Sequence, residues 1–586
     1  MKSLMKLLQA ALLDCKAKCG TTTTRDFETI SSRVEHEGLS FLTITLGDFA
    51  SDFERSLELG HIGHGSFRSF GKNGSIPKLF SGMIRQVFDD NGRLLPRPSV
   101  TAILCIRQVC RMFKKIELPC TGERELAAIG NYKEVEEELL DWELTFDTVA
   151  FDNFGTVSDV IWSSGLYSLT ESIVSGSLIP NHGPGVTAVK VLPNQKYNWQ
   201  QWHSRLEPYF PSDSFCYANS SAFSEECDRI AFLSPEEEPP VRVVFVPKTL
   251  KAPRVIAIEP ACMQYTQQSL MQPLVDCIEQ MPLTKGHLNF TNQSVNRSLA
   301  LSSSRDGKFA TLDLKDASDR VSRILVYRML RSNPILRDAI FACRSTSAKL
   351  PDGVTLHISK FASMGSALCF PIESMVFFTI LVYSELKRLG LPCRRWAIEL
   401  VRQSIYVYGD DLIIPVDGVP AAITALETFG LKVSASKSFS RGKFRESCGL
   451  DAYDGVEVTP SYIRRMPPSS SRDSAGIVSM IKLSNQLYNA GFFNFCQAIE
   501  DHIRSISRYE IPIVSDTASC IGYVRFDKPL TVTKWCKYLH IPLVKGYVPY
   551  IKEQNDPISG HSAFMKWSLK GLNPKKDHLL RSAGSG

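Results

Sequence analysis

The segment that most constrains this chain is Ile405-Tyr-Val-Tyr-Gly-Asp-Asp-Leu-Ile-Ile414. Two apolar, β-prone runs flank a two-residue turn, so the segment predicts a hairpin. Gly409 supplies the permissive backbone that such a turn needs at its first central position. Asp410 and Asp411 stand side by side at that turn. Neighbouring side chains on a flat strand point to opposite faces, but at a tight, twisted turn both can lean toward one bound ion. Two carboxylates about 4 Å apart repel by roughly 4 kcal/mol at an effective dielectric of about 20. A divalent cation removes that penalty, so the pair reads as half of a metal site. Gly-Asp-Asp alone arises by chance in a chain this long on the order of one time in ten, so the reading depends on a second carboxylate segment.

That segment is Lys308-Phe-Ala-Thr-Leu-Asp-Leu-Lys-Asp-Ala-Ser-Asp319. Phe309 to Leu314 reads as a buried strand with Asp313 near its end. Asp316 or Ser318 is placed to cap a following helix, where Val321, Ile324, Leu325, Met329 and Leu330 recur at helical spacing. Alone, Asp313 is equally a strand-end carboxylate bonded to a loop, and Asp319 a first-turn helix residue. Two-metal phosphoryl chemistry, however, needs carboxylates from separate elements converging on one pair of ions. Upstream, Lys248, Lys251 and Arg254 fall on a segment stiffened by Pro247 and Pro253. The spacing alone suits a basic surface strand; its order relative to the carboxylates favours contact with a triphosphate, whose leaving group cations must neutralise.

Taken in order, these runs resemble the palm of an RNA-dependent RNA polymerase, and specifically the replicase subunit of the single-stranded RNA bacteriophages, the levivirus group. The matching runs are Val246-Pro-Lys-Thr-Leu-Lys-Ala-Pro-Arg254 with Ile256-Ala-Ile-Glu-Pro260, Asn292-Gln-Ser-Val-Asn296, Leu312 to Asp319, Ser363-Met-Gly365 with Glu373-Ser374, and Tyr408-Gly-Asp-Asp411. Lys437 to Gly449, ending Phe444-Arg-Glu-Ser-Cys-Gly449, continues into Gly455-Val-Glu-Val-Thr-Pro460. The resemblance covers about residues 240 to 465. It implies an α+β right-hand fold of fingers, palm and thumb, the palm an antiparallel sheet backed by helices. It implies two magnesium ions, with manganese as a substitute, held by Asp313 and Asp410 with Asp411 close by. Asp319 would read the ribose, and Lys437 would protonate the departing pyrophosphate.

The same resemblance places Ser363 and Gly365 in a loop under the templating base pair and the ribose, opening a helix from about Ser366 to Arg388. Ser366 stands where familiar relatives have asparagine, and Pro371 interrupts the next turn. Serine is shorter, so its contact to the 2′-hydroxyl is weaker or water-mediated. Tyr462, Arg464 and Arg465, with Phe444 to Gly449, would form a palm-to-thumb edge contacting the RNA backbone. Partners implied are template and product RNA, ribonucleoside triphosphates, and host translation elongation factors with a ribosomal protein, in the cytoplasm of a bacterial host.

The expected organisation is an N-terminal region and fingers to residue 240, fingers with the basic nucleotide-entry segment at 241–300, palm at 301–465 with a short fingers-side insertion near 335–362, and thumb with the C-terminal region at 466–586. Tyr132 to Leu144 reads as an acidic helix. Arg97 to Lys115 reads as a helix with a basic face after a proline entry, that face either solvated or touching RNA. Leu431 to Val433 reads as a strand, and the chain ends with a basic run, Lys566 to Arg581.

Composition bounds the rest. A chain of 586 residues, 44% hydrophobic and 22% charged, is globular and long enough for several domains. Net charge is only +6, so nucleic-acid contacts must come from clustered basic residues. Sixteen cysteines lack zinc-site spacing, which suits free thiols in a reducing compartment. Gln9 and Asp14 break the apolar N-terminus, so an amphipathic helix is expected there in place of a secretion signal. The most apolar run, Ser374 to Ser384, is too short to cross a bilayer. Two other readings remain open. A reverse transcriptase shares the palm carboxylates but blocks the 2′-hydroxyl with an aromatic residue where this chain has Ala317-Ser318-Asp319. A non-catalytic RNA-binding protein would not need Asp313, Asp410 and the Lys248 to Arg254 segment together.

Overall fold

The computed structural model describes residues 1–507, 510–550 and 555–572; of the basic C-terminal run, residues 573–581 lie outside them. The chain opens with α1 (Lys2–Cys19), whose Leu4, Leu7, Leu8 and Leu12 recur at helical spacing and are buried. The N-terminus is thus the amphipathic helix expected. α2 (Leu46–Leu59) and α3 (Val100–Arg111) pack with it. The Ser99 hydroxyl caps α3 by accepting from the Ala102 N–H at 3.2 Å. α4 (Gly122–Thr145) contains the acidic stretch predicted as helical.

The basic face expected on α3 is neither solvated nor free for RNA. Arg107 is fully buried and donates to Glu54 on α2 at 2.8 Å and to Asp451 at 2.7 Å, while Arg111 also pairs with Glu54. Charges leave water in this way only when partners meet them.

The central region is built on sheets. β1 (Val241–Val246) and β2 (Arg254–Ile258) form an antiparallel hairpin, followed by α5 (Ala261–Gln280) and α6 (Ser294–Asp306). β3 (Phe309–Asp313) comes next. The helix expected after it starts later than predicted: a 3-10 turn at Ser318–Arg320 intervenes, and Ser322 caps Arg323–Met329 by accepting from the Ile324 N–H at 3.2 Å. β4 (Ser347–Lys349) and β5 (Thr355–His357) extend the first hairpin into a four-stranded sheet of order β2-β1-β4-β5, with β1 and β4 parallel.

α7 (Cys369–Arg388) follows. It starts three residues beyond the expected Ser366, and Pro371 does not interrupt it. Pro371 lies in the first turn, where its missing N–H has no helical acceptor to lose. By length and composition α7 could cross a bilayer, but 94% of its apolar window is buried inside the fold, as in a core helix.

The predicted hairpin is present as β6 (Tyr406–Tyr408) and β7 (Asp411–Pro415). It joins β3 in a three-stranded antiparallel sheet of order β6-β7-β3, with α7 packed in the same core. Leu431–Val433 is not a strand; Val433 makes a single bridge to Leu314. Then β8 (Phe444–Ser447), β9 (Leu450–Tyr453) and β10 (Val456–Glu457) form a separate antiparallel sheet. α8 (Ser474–Asn489), α9 (Phe493–Ile506), a short ribbon of β11 (Lys534–Cys536) and β12 (Ile541–Leu543), and α10 (Gly560–Leu572) complete the described chain.

Two main cores result. One gathers side chains between Ala150 and Leu431 with Met565 and Leu569 of α10. The other joins Leu4–Ile116 to Phe439–Tyr523, so the N-terminal helices share one apolar interior with α8 and α9. The expected α+β class holds: helices are interspersed with mainly antiparallel sheets, and the three-stranded sheet carrying Asp313 and Asp411 is wholly antiparallel.

Candidate active site

Strand pairing brings the two carboxylate segments together. Asp411 on β7 is the direct cross-strand partner of Asp313 on β3, and opposed residues of an antiparallel pair hold their side chains about 5 Å apart. Asp410 stands in the turn between β6 and β7. Gly409 has φ 63°, and a Cβ there would lie 2.2 Å from the Phe370 ring, so both backbone and packing demand glycine. The Ser447 hydroxyl on β8 donates to Asp411 Oδ1 at 3.3 Å. The Asn296 side-chain amide on α6 donates to the Asp411 carbonyl at 3.2 Å.

The electrostatics follow from crowding. Partial burial pushes the Asp313 carboxyl above its usual range; Lys437 draws it down and Asp410 adds to the rise. Burial lifts Asp411 to about 6, with Asp410 and Asp313 contributing by repulsion. Glu373, early in α7, is pushed well above the usual carboxylate range by burial and then by Asp410 and Asp319. Such a cluster favours an added cation.

Cations of the chain meet this charge in part. Lys437 Nζ lies 3.1 and 3.3 Å from the two Asp313 oxygens. Lys248 stands in the loop between β1 and β2, where close packing and the charges of Arg254 and Lys437 lower its pKa while Asp410 and Asp313 oppose that shift. The basic segment is therefore the tip of a hairpin, and its three cations separate. Lys248 lies toward the carboxylates, Arg254 stands near Lys248 and is exposed, and Lys251 donates to Asp48 on α2 at 2.9 Å.

Asp319 accepts from Lys360 Nζ at 2.8 Å. Lys360 is fully buried, lies 3.0 Å from Glu136 on α4, and sits 3.5 Å from the centre of the Tyr132 ring. The Tyr132 hydroxyl shares a 2.9 Å hydrogen bond with Ser363 Oγ. The loop Ser363–Ser366 is held by the protein itself. Gly365 has φ 132°, and a Cβ on it would lie 2.0 Å from the Ala257 carbonyl of β2, so the approach of β2 by itself requires glycine there. Ser366 Oγ donates to Gln267 Oε1 on α5 at 3.1 Å and makes no bond to Asp319.

The expected RNA edge is likewise tied inward. The Tyr462 ring receives Lys115 Nζ at 4.0 Å from its centre. The Ile463 N–H donates to the Met112 carbonyl and the Glu117 N–H to the Arg464 carbonyl, both at 2.8 Å, strapping this segment along the end of α3. The side chains of Arg464 and Arg465 remain exposed. Arg445, in the same expected edge, is buried and donates to the Phe309 carbonyl at 2.7 Å, which fastens β8 to β3.

Sequence reasoning gave Glu373 no role beyond its place in a matching run, and passed over Lys360. A lone carboxylate in the apolar run of α7 was the available signal for Glu373. For Lys360 there was none, because its partners lie on α4 and on the segment after β3. Among the described residues, no group of three or more His, Cys, Asp or Glu side chains is gathered to hold a metal alone. The all-oxygen donor set of Asp313, Asp410 and Asp411 fits a hard cation such as magnesium.

Residues 229–493 match the family described as RNA replicase, beta-chain. Over 236 residues the chain is 35% identical to the RNA-directed RNA polymerase subunit beta of Escherichia virus Qbeta, covering 40% of this chain and 36% of that protein. Over 271 residues it is 34% identical to the corresponding subunit of Enterobacteria phage SP, covering 46% and 43%. Over 223 residues it is 34% identical to the RNA-directed RNA polymerase beta chain of Escherichia phage MS2, covering 38% and 37%. The matched stretch thus spans about two fifths of these relatives' own length. This segment of the chain is similar to the RNA replicase beta-chain family, and it contains Asp313, Asp319, Glu373, Asp410 and Asp411.

Proposed function

We propose that the chain is an RNA-directed RNA polymerase that replicates a phage single-stranded RNA genome from ribonucleoside triphosphates. The observation that carries this reading is the cross-strand register of Asp411 with Asp313, with Asp410 at the adjoining turn, inside the matched segment. In this reading the sheet β6-β7-β3 with α7 is the palm, the β1–β2 hairpin belongs to the fingers, and the helices after β10 belong to the thumb.

Magnesium, with manganese as a substitute, would be held by Asp313, Asp410 and Asp411, where it lowers the pKa of the growing strand's 3′-hydroxyl and offsets charge on the triphosphate. Lys248 approaches the same carboxylates from the neighbouring hairpin, and with Arg254 beside it binds the triphosphate oxygens. Asp319 accepts from the ribose 2′-hydroxyl, and Ala317-Ser318 leaves room for it. Lys437 holds a proton at Nζ beside Asp313 and is the group to deliver it to pyrophosphate. Host translation elongation factors and a ribosomal protein are proposed as further subunits, and the bacterial cytoplasm as the location, both from the resemblance to phage replicases.

The test is template-directed incorporation on single-stranded RNA, comparing ribonucleotides with deoxyribonucleotides. Ribonucleotide incorporation lost in D410A with the circular dichroism spectrum retained supports the reading, since removing one of several repelling carboxylates relieves strain. Normal incorporation by folded D410A, or a preference for deoxyribonucleotides, overturns it.

A further inference from the structure

We propose that the β11–β12 ribbon is a binding site for single-stranded RNA, separate from the carboxylate cluster and outside the segment matched to the replicase family. Lys534 pairs with Leu543, Trp535 with Pro542, and Cys536 with Ile541. A two-stranded ribbon is marginal alone, and this one is secured at its base. The Thr533 N–H donates to the Leu543 carbonyl at 2.8 Å and the Thr531 N–H to the Ile513 carbonyl at 2.9 Å. The Lys545 N–H donates to Thr533 Oγ1 at 3.0 Å. The neighbouring chain returns to the second core through buried Tyr523. The base is fixed and the tip stands in solvent.

What the ribbon displays is unusual for a surface with no task. Trp535 is 55% exposed and Tyr538 94%. Neither has a ring or cation partner among the described residues. From Lys528 to Tyr550 there are four lysines, Lys528, Lys534, Lys537 and Lys545, and no aspartate or glutamate, in a chain whose whole net charge is +6. Lys534 and Lys537 form no ion pair among the described residues. Successive strand residues face opposite sides, so Lys534 and Trp535 offer charge and a flat ring on either face, and Lys537 and Tyr538 repeat the pair at the turn.

This combination selects its ligand. A docked protein would bury the apolar groups in a core from which charge, lysine above all, is depleted. Here Lys534 and Lys537 are interspersed among Trp535, Tyr538 and the exposed aliphatic residues Val532, Leu539, Ile541 and Leu543, so charge stands inside the apolar patch. A phosphate backbone neutralises the lysines, and unpaired bases stack on the rings whatever their sequence. A duplex keeps its base faces covered, so the site favours single strands. The inference rests on the proposed function only for the source of the RNA, template or product.

The experiment uses the full chain and a labelled, unstructured single-stranded RNA, with affinity read by fluorescence anisotropy across a salt series. W535A/Y538A is expected to lower affinity about tenfold with little change in salt dependence. K534Q/K537Q is expected to reduce the slope of log affinity against log salt by about 1 to 2. D410N is the control: it keeps RNA affinity whatever its effect on incorporation, so failure of the polymerase reading and failure of this one are told apart. Unchanged affinity in both ribbon variants overturns the proposal. So does equal binding of duplex RNA, or loss of a co-purifying bacterial protein from the ribbon variants while RNA affinity stands.

Discussion

Replacing Lys360 with methionine tests the site and the fold together. The ammonium is fully buried, with Glu136 at 3.0 Å and Asp319 at 2.8 Å. Methionine fills much of the same volume but removes the charge. Two carboxylates then face each other without a cation, and breaking a buried pair by removing one member costs about 3–5 kcal/mol. The side chain of Glu136 is only 6% exposed and that of Asp319 24%. Water reaches Asp319, and Glu136 still accepts the Ser359 N–H at 2.7 Å, so the low end, about 3 kcal/mol, is the expected loss. Thermal unfolding of K360M should shift to a clearly lower midpoint, and K360M/E136Q should recover part of that loss by removing the stranded charge.

Function should respond separately. With its anchor gone, Asp319 no longer points in one direction, so K360M is expected to lose preference for ribo- over deoxyribonucleotides, as D319A should. The double variant should regain stability without regaining selectivity, an outcome that a purely structural lysine would not produce. A K360M protein as stable and as selective as the parent would refute the network.

Other outcomes follow from the same geometry. Arg107→Met should destabilise the chain by about 3 kcal/mol, because Asp451 is left buried without its cation while Glu54 keeps Arg111; the midpoint of chemical denaturation measures it. Glu446 is raised to about 7 by burial and by Asp451 and Glu54. Its folded pKa exceeds the ordinary 4.5, so the folded form binds the extra proton, and the stability it contributes is full at low pH and lost as pH rises from about 4.5 through 7. A thermal midpoint followed over that window should flatten in E446Q. Arg254→Ala should raise the nucleotide KM well above any effect of Lys251→Ala, since Lys251 pairs with Asp48 away from the carboxylates; equal effects in steady-state kinetics would return both residues to one site.

The local elements of the catalytic sheet were legible in the sequence because short-range rules set them. Apolar alternation around Gly409-Asp410 specifies a hairpin, and a buried run ending in Asp313 specifies a strand, whatever lies elsewhere in the chain. The acidic helix α4 and the amphipathic α1 were readable for the same reason. That Asp313 and Asp411 share a site was inferred from chemistry and resemblance; the β7–β3 register makes them direct partners. What the sequence could not determine is where its charges go. Arg107 and Arg111 look like a solvated stripe on one helix, yet their counter-ions come from α2 and from β9, hundreds of residues away for Asp451. Lys360 carries no local mark of burial, and Gly365 looks like a ligand-approach glycine until β2 is seen beside it. Burial of a charge depends on the field of every group that folding brings near it, a long-range quantity with no periodicity along the chain. Short-range pattern specifies the strands that carry Asp313 and Asp411, the turn at Gly409 and the chemistry available there; which cations are locked inside and which are left to meet a substrate is settled by contacts between distant segments.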